Sequence, residues 1–104
     1  MKLQVLHVPG CPNTTVLVGR LEEVIAGRRD LLLEHQVIND EAQATTWGMT
    51  GSPTLLIDGV DPFQVAGAAP SISCRLYRDE GGVPSIAALR AALDSGSEPV
   101  NAGR

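Results

Sequence analysis

The sequence predicts a mixed α/β domain with the element order β-α-β-α-β-β-α, a mixed four-stranded sheet flanked by helices. Three observations lead there. Short apolar runs closed by Pro or Gly recur along the chain, amphipathic stretches of helical spacing separate them, and two late runs follow each other with only a loop between. With 104 residues, 43% apolar and 19% charged, one core is the expectation, a domain over 1–95 with a flexible tail over 96–104.

Lys2 to Val8 is rich in Leu and Val and stops at Pro9-Gly10, as a buried strand closed by a turn does. From Thr14 to Arg29, Leu17, Leu21, Val24 and Ile25 form one helical stripe, with Arg20, Glu22 and Glu23 opposite; Gly27 and Arg28-Arg29 are stop signals. Leu31 to Ile38 reads as a second strand, parallel to the first. Asn39-Asp40 are capping candidates for a short helix from Glu41 to about Gly48. After Gly51-Ser52-Pro53, Thr54 to Ile57 is a third strand ended by the Asp58-Gly59 turn. Residues 59 to 71 form a long loop. Ile72 to Arg78 alternates Ile72, Cys74, Leu76 and Arg78 against Ser73, Arg75 and Tyr77, a strand expected beside the third. Pro84 opens the closing helix, carried by Ile86, Leu89 and Leu93.

The charge balance excludes function classes. Eight Lys and Arg against twelve Asp and Glu, with a formal net charge of −4 and one each of Trp, Tyr and Phe, provide neither a basic surface nor stacking platforms, so nucleic acid is not expected as a partner. The absence of an apolar run of roughly 18 residues, and an opening Met1-Lys2 that runs straight into a strand, point to a soluble cytoplasmic protein without a membrane role. Cys11 and Cys74 are too few for a secreted disulfide scaffold or a four-thiolate zinc site, and with His7 and His35 they match no zinc-finger spacing. No cofactor and no resident metal are expected, and a monomer or weak dimer is.

Chemistry concentrates at Gly10-Cys11-Pro12-Asn13-Thr14. A cysteine between a strand and a helix start faces unpaired amides and the positive end of the helix dipole, which raise its thiolate fraction. Pro12 fits the first turn, and Asn13 and Thr14 offer polar donors beside the sulfur. The second feature is Thr50-Gly51-Ser52-Pro53-Thr54 at the entry to a buried strand, where a cis Ser52-Pro53 bond is expected.

Together Cys11-Pro12-Asn13-Thr14 and Gly51-Ser52-Pro53-Thr54-Leu55-Leu56 resemble the thioredoxin-fold superfamily, and the order of elements extends the likeness over nearly the whole chain. The resemblance implies a thioredoxin-like fold, Pro53 near the Cys11 sulfur, Cys11 as attacking nucleophile, and the Ser52 or Thr54 backbone pairing with an extended thiol substrate. Thr14 replaces the second cysteine of a C-x-x-C pair, so a local disulfide is impossible. Resolution by a small thiol, resolution by Cys74, and a thiolate that binds without turnover stay open. The strand carrying Cys74 should leave the long loop at the sheet end remote from Cys11. That puts it beyond the roughly 7 Å Cα separation a disulfide permits, unless residues 59–71 fold back over the active face.

The chain also resembles small bacterial thioredoxin-like proteins, some labelled alkylmercury lyase, in Gly10 to Asn13, Gly51 to Thr54, Asp61-Pro62-Phe63 and Ser73 to Tyr77. That likeness implies mercury held by Cys11 and Cys74, two soft thiolates. Organomercurial lyases place a proton-donating aspartate where this chain has Thr14. The readings are therefore a thiol oxidoreductase acting through Cys11 on a small thiol or a thiol- or disulfide-bearing substrate, an organomercurial lyase-like or mercury-binding protein using Cys11 and Cys74, and a non-catalytic binding module. Cys11, Cys74 and Thr14 are the catalytic candidates; Pro12, Asn13, Ser52, Pro53 and Thr54 are the substrate-binding ones. His7 reads as a sheet residue, with a base as alternative, and His35 as an edge or solvent-facing strand residue, with a catalytic role as alternative. Trp47 and Met49 read as core, with a substrate groove as alternative. Asp61-Pro62-Phe63 read as a clamp on the long loop, with a cover over the thiol as alternative. Arg75 and Arg78 read as solvated charges, with a substrate carboxylate as alternative.

Overall fold

The computed structural model describes residues 1–64, 67–75, 77 and 82–97, with side chains through Asp94. In chain order the elements are β1 (Lys2–His7), α1 (Pro12–Ile25), β2 (Leu32–Val37), α2 (Glu41–Trp47), β3 (Thr50–Ser52), β4 (Thr54–Ile57), β5 (Ser71–Cys74) and α3 (Ile86–Ser97). They form a mixed α/β structure. A three-stranded sheet runs β2-β1-β4, with β1 parallel to β2 and antiparallel to β4, and a separate parallel pair joins β3 to β5.

Helices cover both faces of the sheet because its central strand is apolar on both. Leu3, Val5, Leu55 and Ile57 face Leu17, Leu21 and Val24 of α1 and Leu89 and Leu93 of α3 in one cluster. Leu6 and Leu56 face Ile38, Met49 and Ala44 of α2 in the other. Each fully buried leucine among them contributes of order 2 kcal/mol from apolar burial. Across the helix layer, Arg20 Nη1 donates to the carbonyls of Val83 and Pro84, both at 3.0 Å, tying α1 to the segment that enters α3.

Local signals explain the boundaries. The Asp40 carboxylate accepts from the Gln43 N–H at 2.8 Å while the Gln43 side chain accepts from the Asn39 N–H at 2.7 Å, a reciprocal cap that starts α2; Gly48, at φ +83°, ends it. Asp58 and Gly59 both have positive φ, and Ile57 and Val60 exchange backbone hydrogen bonds across them, the two-residue turn that Asp-Gly favours. At the start of α3 the Ser85 hydroxyl accepts from the Ala88 N–H at 3.1 Å. Ser85 therefore takes the capping place, and Pro84 precedes the helix instead of opening it. The expected tail over 96–104 meets a helix that continues to Ser97, and its remainder lies outside the described residues.

Among the described residues the main sheet has three strands, and a fourth strand of the same sheet is not seen. The described part of the late strand is Ser71–Cys74, and it pairs with Thr50–Ser52; Leu76 and Arg78 lie outside the described residues. Just before β4 the Tyr77 hydroxyl donates to the Pro53 carbonyl at 2.8 Å. Its alternation is also inverted, because Ile72 and Cys74 are exposed while Arg75 and Tyr77 turn inward. Arg75 is able to do so because its charge is fully partnered, so hydrophobicity alone selects the wrong face. Gly51 sits where β5 crosses β3. At φ +122°, a Cβ there would lie 2.7 Å from Arg75 Cβ, so only glycine permits the close approach. No helix among the described residues is long and apolar enough to cross a membrane.

Candidate functional site around Cys11

Cys11 occupies the N-cap of α1 with extended backbone, and Pro12 follows in the first turn. Burial pushes its thiol pKa up. Hydrogen bonding from the Ser52 hydroxyl, then from the Thr14 hydroxyl and the Thr14 and Asn13 backbone N–H groups, more than offsets this, and the net result is a pKa below that of an ordinary thiol. The Thr14 hydroxyl is buried and makes no full hydrogen bond, yet it is near enough to the sulfur to favour its charged form. Deprotonation of Cys11 would supply the acceptor this hydroxyl lacks.

Ser52 links the cysteine to the sheet. It is fully buried, its hydroxyl accepts from the Val8 N–H at 3.1 Å, and its peptide bond to Pro53 is cis. The end of β1, the start of α1 and the loop before β4 therefore converge on one point. Extended backbone at Ser52 follows from its place before proline.

Cys74 joins the same rim. The Ser71 N–H returns to the Met49 carbonyl at 3.0 Å, β5 aligns Cys74 with Ser52, and the Asn13 side-chain amide donates to the Cys74 sulfur at 3.7 Å. Asn13 thus serves both sulfurs, through its backbone N–H for Cys11 and its amide for Cys74. Cys74 is exposed, Cys11 half-buried, and both are free thiols. The expectation that Cys74 lies at the remote end of the sheet fails because Ser71–Cys74 pairs with β3, which sets Cys74 opposite Ser52.

Thr54 and Ser52 are committed elsewhere. The Thr54 hydroxyl donates to the Gly51 carbonyl at 2.6 Å, its backbone lies in the β1–β4 ladder, and the Ser52 carbonyl accepts from the Arg75 N–H at 2.9 Å. Arg75 is not a solvated charge. It pairs with Asp61 at 2.7 Å, donates to the Phe63 carbonyl at 2.6 Å and to Thr50 and Thr54 hydroxyls at 3.2 and 3.3 Å, and lies 4.3 Å over the Tyr77 ring. Asp61-Pro62-Phe63 is accordingly a clamp, with Asp61 capping the Phe63 N–H at 2.8 Å and Phe63 edge-on to Tyr77. Burial holds the Tyr77 phenol protonated, pushing its pKa up to about 12.

The remaining candidates stand apart. Met49 is core, whereas Trp47 is exposed and, with Gly59, Val60 and Asp61, lines a shallow groove of about 290 Å³ that Cys11 does not reach. His7 and His35 meet edge to face at 5.9 Å across β1 and β2. Among the described residues no group of three or more His, Cys, Asp or Glu is placed to hold a metal ion. Sequence reasoning missed the Tyr77 hydroxyl and the burial of Arg75. The signal for both was the spacing of an arginine and the only tyrosine two residues apart on one strand face, with Asp61 upstream as the one acid within the long loop.

The described residues define a mixed α/β protein that carries an acidified thiol at a helix start and a second thiol on the neighbouring rim. No family model, no curated protein and no solved structure matches this chain.

Proposed function

We propose that the protein is a thiol-dependent oxidoreductase of thioredoxin-like type in which Cys11 is the nucleophile, with the oxidised sulfur resolved by Cys74 or by a small thiol. The observation that carries the reading is the Cys11 environment: a helix N-cap sulfur, more acidic than an ordinary thiol, beside the Ser52 hydroxyl and a buried Thr14 hydroxyl short of an acceptor. The test is turnover of a hydroperoxide or a small mixed disulfide with excess low-molecular-weight thiol as reductant. Cys11→Ser abolishes it in this reading; full turnover by that variant refutes it.

Mercury capture is a second reading, favoured by the position of both free sulfurs around Asn13. It predicts one Hg(II) per chain, with tight binding lost in either single Cys→Ser variant. A Cys11 no more reactive than free cysteine supports the third reading, a binding module.

A further inference from the structure

An extended peptide recognised beside Cys11 would need an open backbone edge at β3, because strand addition is how a short peptide gains main-chain hydrogen bonds. In this protein that edge is occupied. β5 runs along it in parallel, with Ser71 N–H on the Met49 carbonyl at 3.0 Å, Arg75 N–H on the Ser52 carbonyl at 2.9 Å, and Cys74 in register with Ser52. The strand is held there firmly, since Arg75 at its end is buried against Asp61, Phe63, Thr50 and Thr54. The same contacts consume the Arg75 charge that an anionic peptide-like substrate would otherwise meet.

We infer that β5 is a built-in occupant of the substrate edge, so that the site takes small oxidants of the hydroperoxide class instead of extended disulfide-bearing peptides, and that Cys74, presented on that strand beside Asn13, is the resolving thiol. This inference rests on the proposed role of Cys11 as nucleophile and goes further in naming the substrate class and the resolving group. In the first step the Cys11 thiolate attacks the distal oxygen of the hydroperoxide. The S–O bond forms, the O–O bond breaks, and the leaving alkoxide takes a proton to become the alcohol. In the second step the Cys74 sulfur attacks the Cys11 sulfenic acid; the S–S bond forms, the S–O bond breaks, and the departing hydroxide takes the Cys74 proton as water. Two equivalents of a small thiol then reduce the disulfide and are themselves oxidised to one. Asn13 is a positioning residue whose amide holds the Cys74 sulfur at 3.7 Å.

The experiment exposes the full chain to one equivalent of cumene hydroperoxide, with dimedone present as a sulfenic-acid trap, and maps the non-reduced chain by mass spectrometry. A parallel assay offers a mixed-disulfide decapeptide. Expected are a Cys11–Cys74 disulfide in the wild type, a dimedone adduct at Cys11 in Cys74→Ser, and reaction with the peptide disulfide no faster than that of free cysteine. Asn13→Ala shifts the partition from disulfide toward the adduct by about three- to tenfold, the scale of one lost hydrogen bond. Circular dichroism of the variants verifies their fold. A peptide disulfide that outruns the hydroperoxide overturns the inference. So does a wild type in which dimedone traps the Cys11 sulfenic acid and Cys74 stays a free thiol, an outcome that leaves the oxidoreductase reading standing. A Cys11 inert to both reagents overturns both.

Discussion

Replacing Asp61 by Asn removes the charge opposite Arg75 while keeping an oxygen to accept from the Phe63 N–H. The side chains of Arg75 and Asp61 are 9% and 11% exposed, so solvent screens the pair little. Breaking a buried pair by removing one partner costs about 3–5 kcal/mol. Here the guanidinium keeps the Phe63 carbonyl at 2.6 Å, the Thr50 and Thr54 hydroxyls at 3.2 and 3.3 Å, and the Tyr77 ring. These partners recover part of the loss, and the expected destabilisation is about 2–3 kcal/mol. Asp61→Ala also removes the Phe63 cap and should cost about 1 kcal/mol more. Against a total stability of about 5–15 kcal/mol, Asp61→Asn should lower the melting temperature by roughly 10–20 °C. Urea unfolding followed by Trp47 fluorescence and circular dichroism measures it, and a double-mutant cycle with Arg75→Met isolates the coupling. A loss under about 1 kcal/mol, or no coupling in the cycle, would refute the clamp as the structure draws it.

Other consequences are as concrete. Tyr77 is the only tyrosine, so the absorbance change of tyrosinate reports it alone; its titration should be delayed toward about 12, and a midpoint at the ordinary phenol value contradicts its burial. Because the folded pKa is raised, this contribution to stability is complete below the unfolded value and is lost as pH climbs from about 10 toward about 12. Tyr77→Phe leaves the Pro53 carbonyl without its donor and should cost about 1–3 kcal/mol in urea. Gly51→Ala places a Cβ against Arg75 at positive φ and should cost at least about 1–3 kcal/mol, with detachment of β5 visible as faster amide exchange at Arg75. For Cys11 the sign is opposite to that of Tyr77. Its folded pKa is depressed, so its stabilising contribution is present above the unfolded thiol value and disappears as pH falls through the folded one, a dependence that Cys11→Ser should flatten.

The parts of this molecule that were legible in its sequence are those set by local chemistry. The Leu-rich run of β1, the Leu17-Leu21-Val24 stripe of α1, the Asp40 cap and the Asp58-Gly59 turn each express a preference that needs no distant partner. Cys11 at the start of α1 was legible for the same reason, since Pro9-Gly10 ends the strand and Pro12 suits a first turn. The pairing of β5 was not. It depends on Gly51 admitting Arg75 and on Asp61, many residues earlier, neutralising it, and neither condition leaves a periodic trace. Taken alone, the alternation of Ile72 and Cys74 suggests the buried face. A satisfied arginine and a hydrogen-bonded tyrosine reverse it. With that reversal, Cys74 moves from a remote strand to the rim of Cys11.

The most direct test of the account is the pH dependence of Cys11 alkylation by iodoacetamide, measured in Cys74→Ser with free cysteine in parallel. Thiolate stabilisation by Ser52, Thr14 and the first-turn amides predicts a single transition below that of free cysteine, moved upward in Thr14→Val and in Ser52→Ala. A transition at or above free cysteine, unmoved by either substitution, would contradict the claim that this helix start was built around a reactive sulfur.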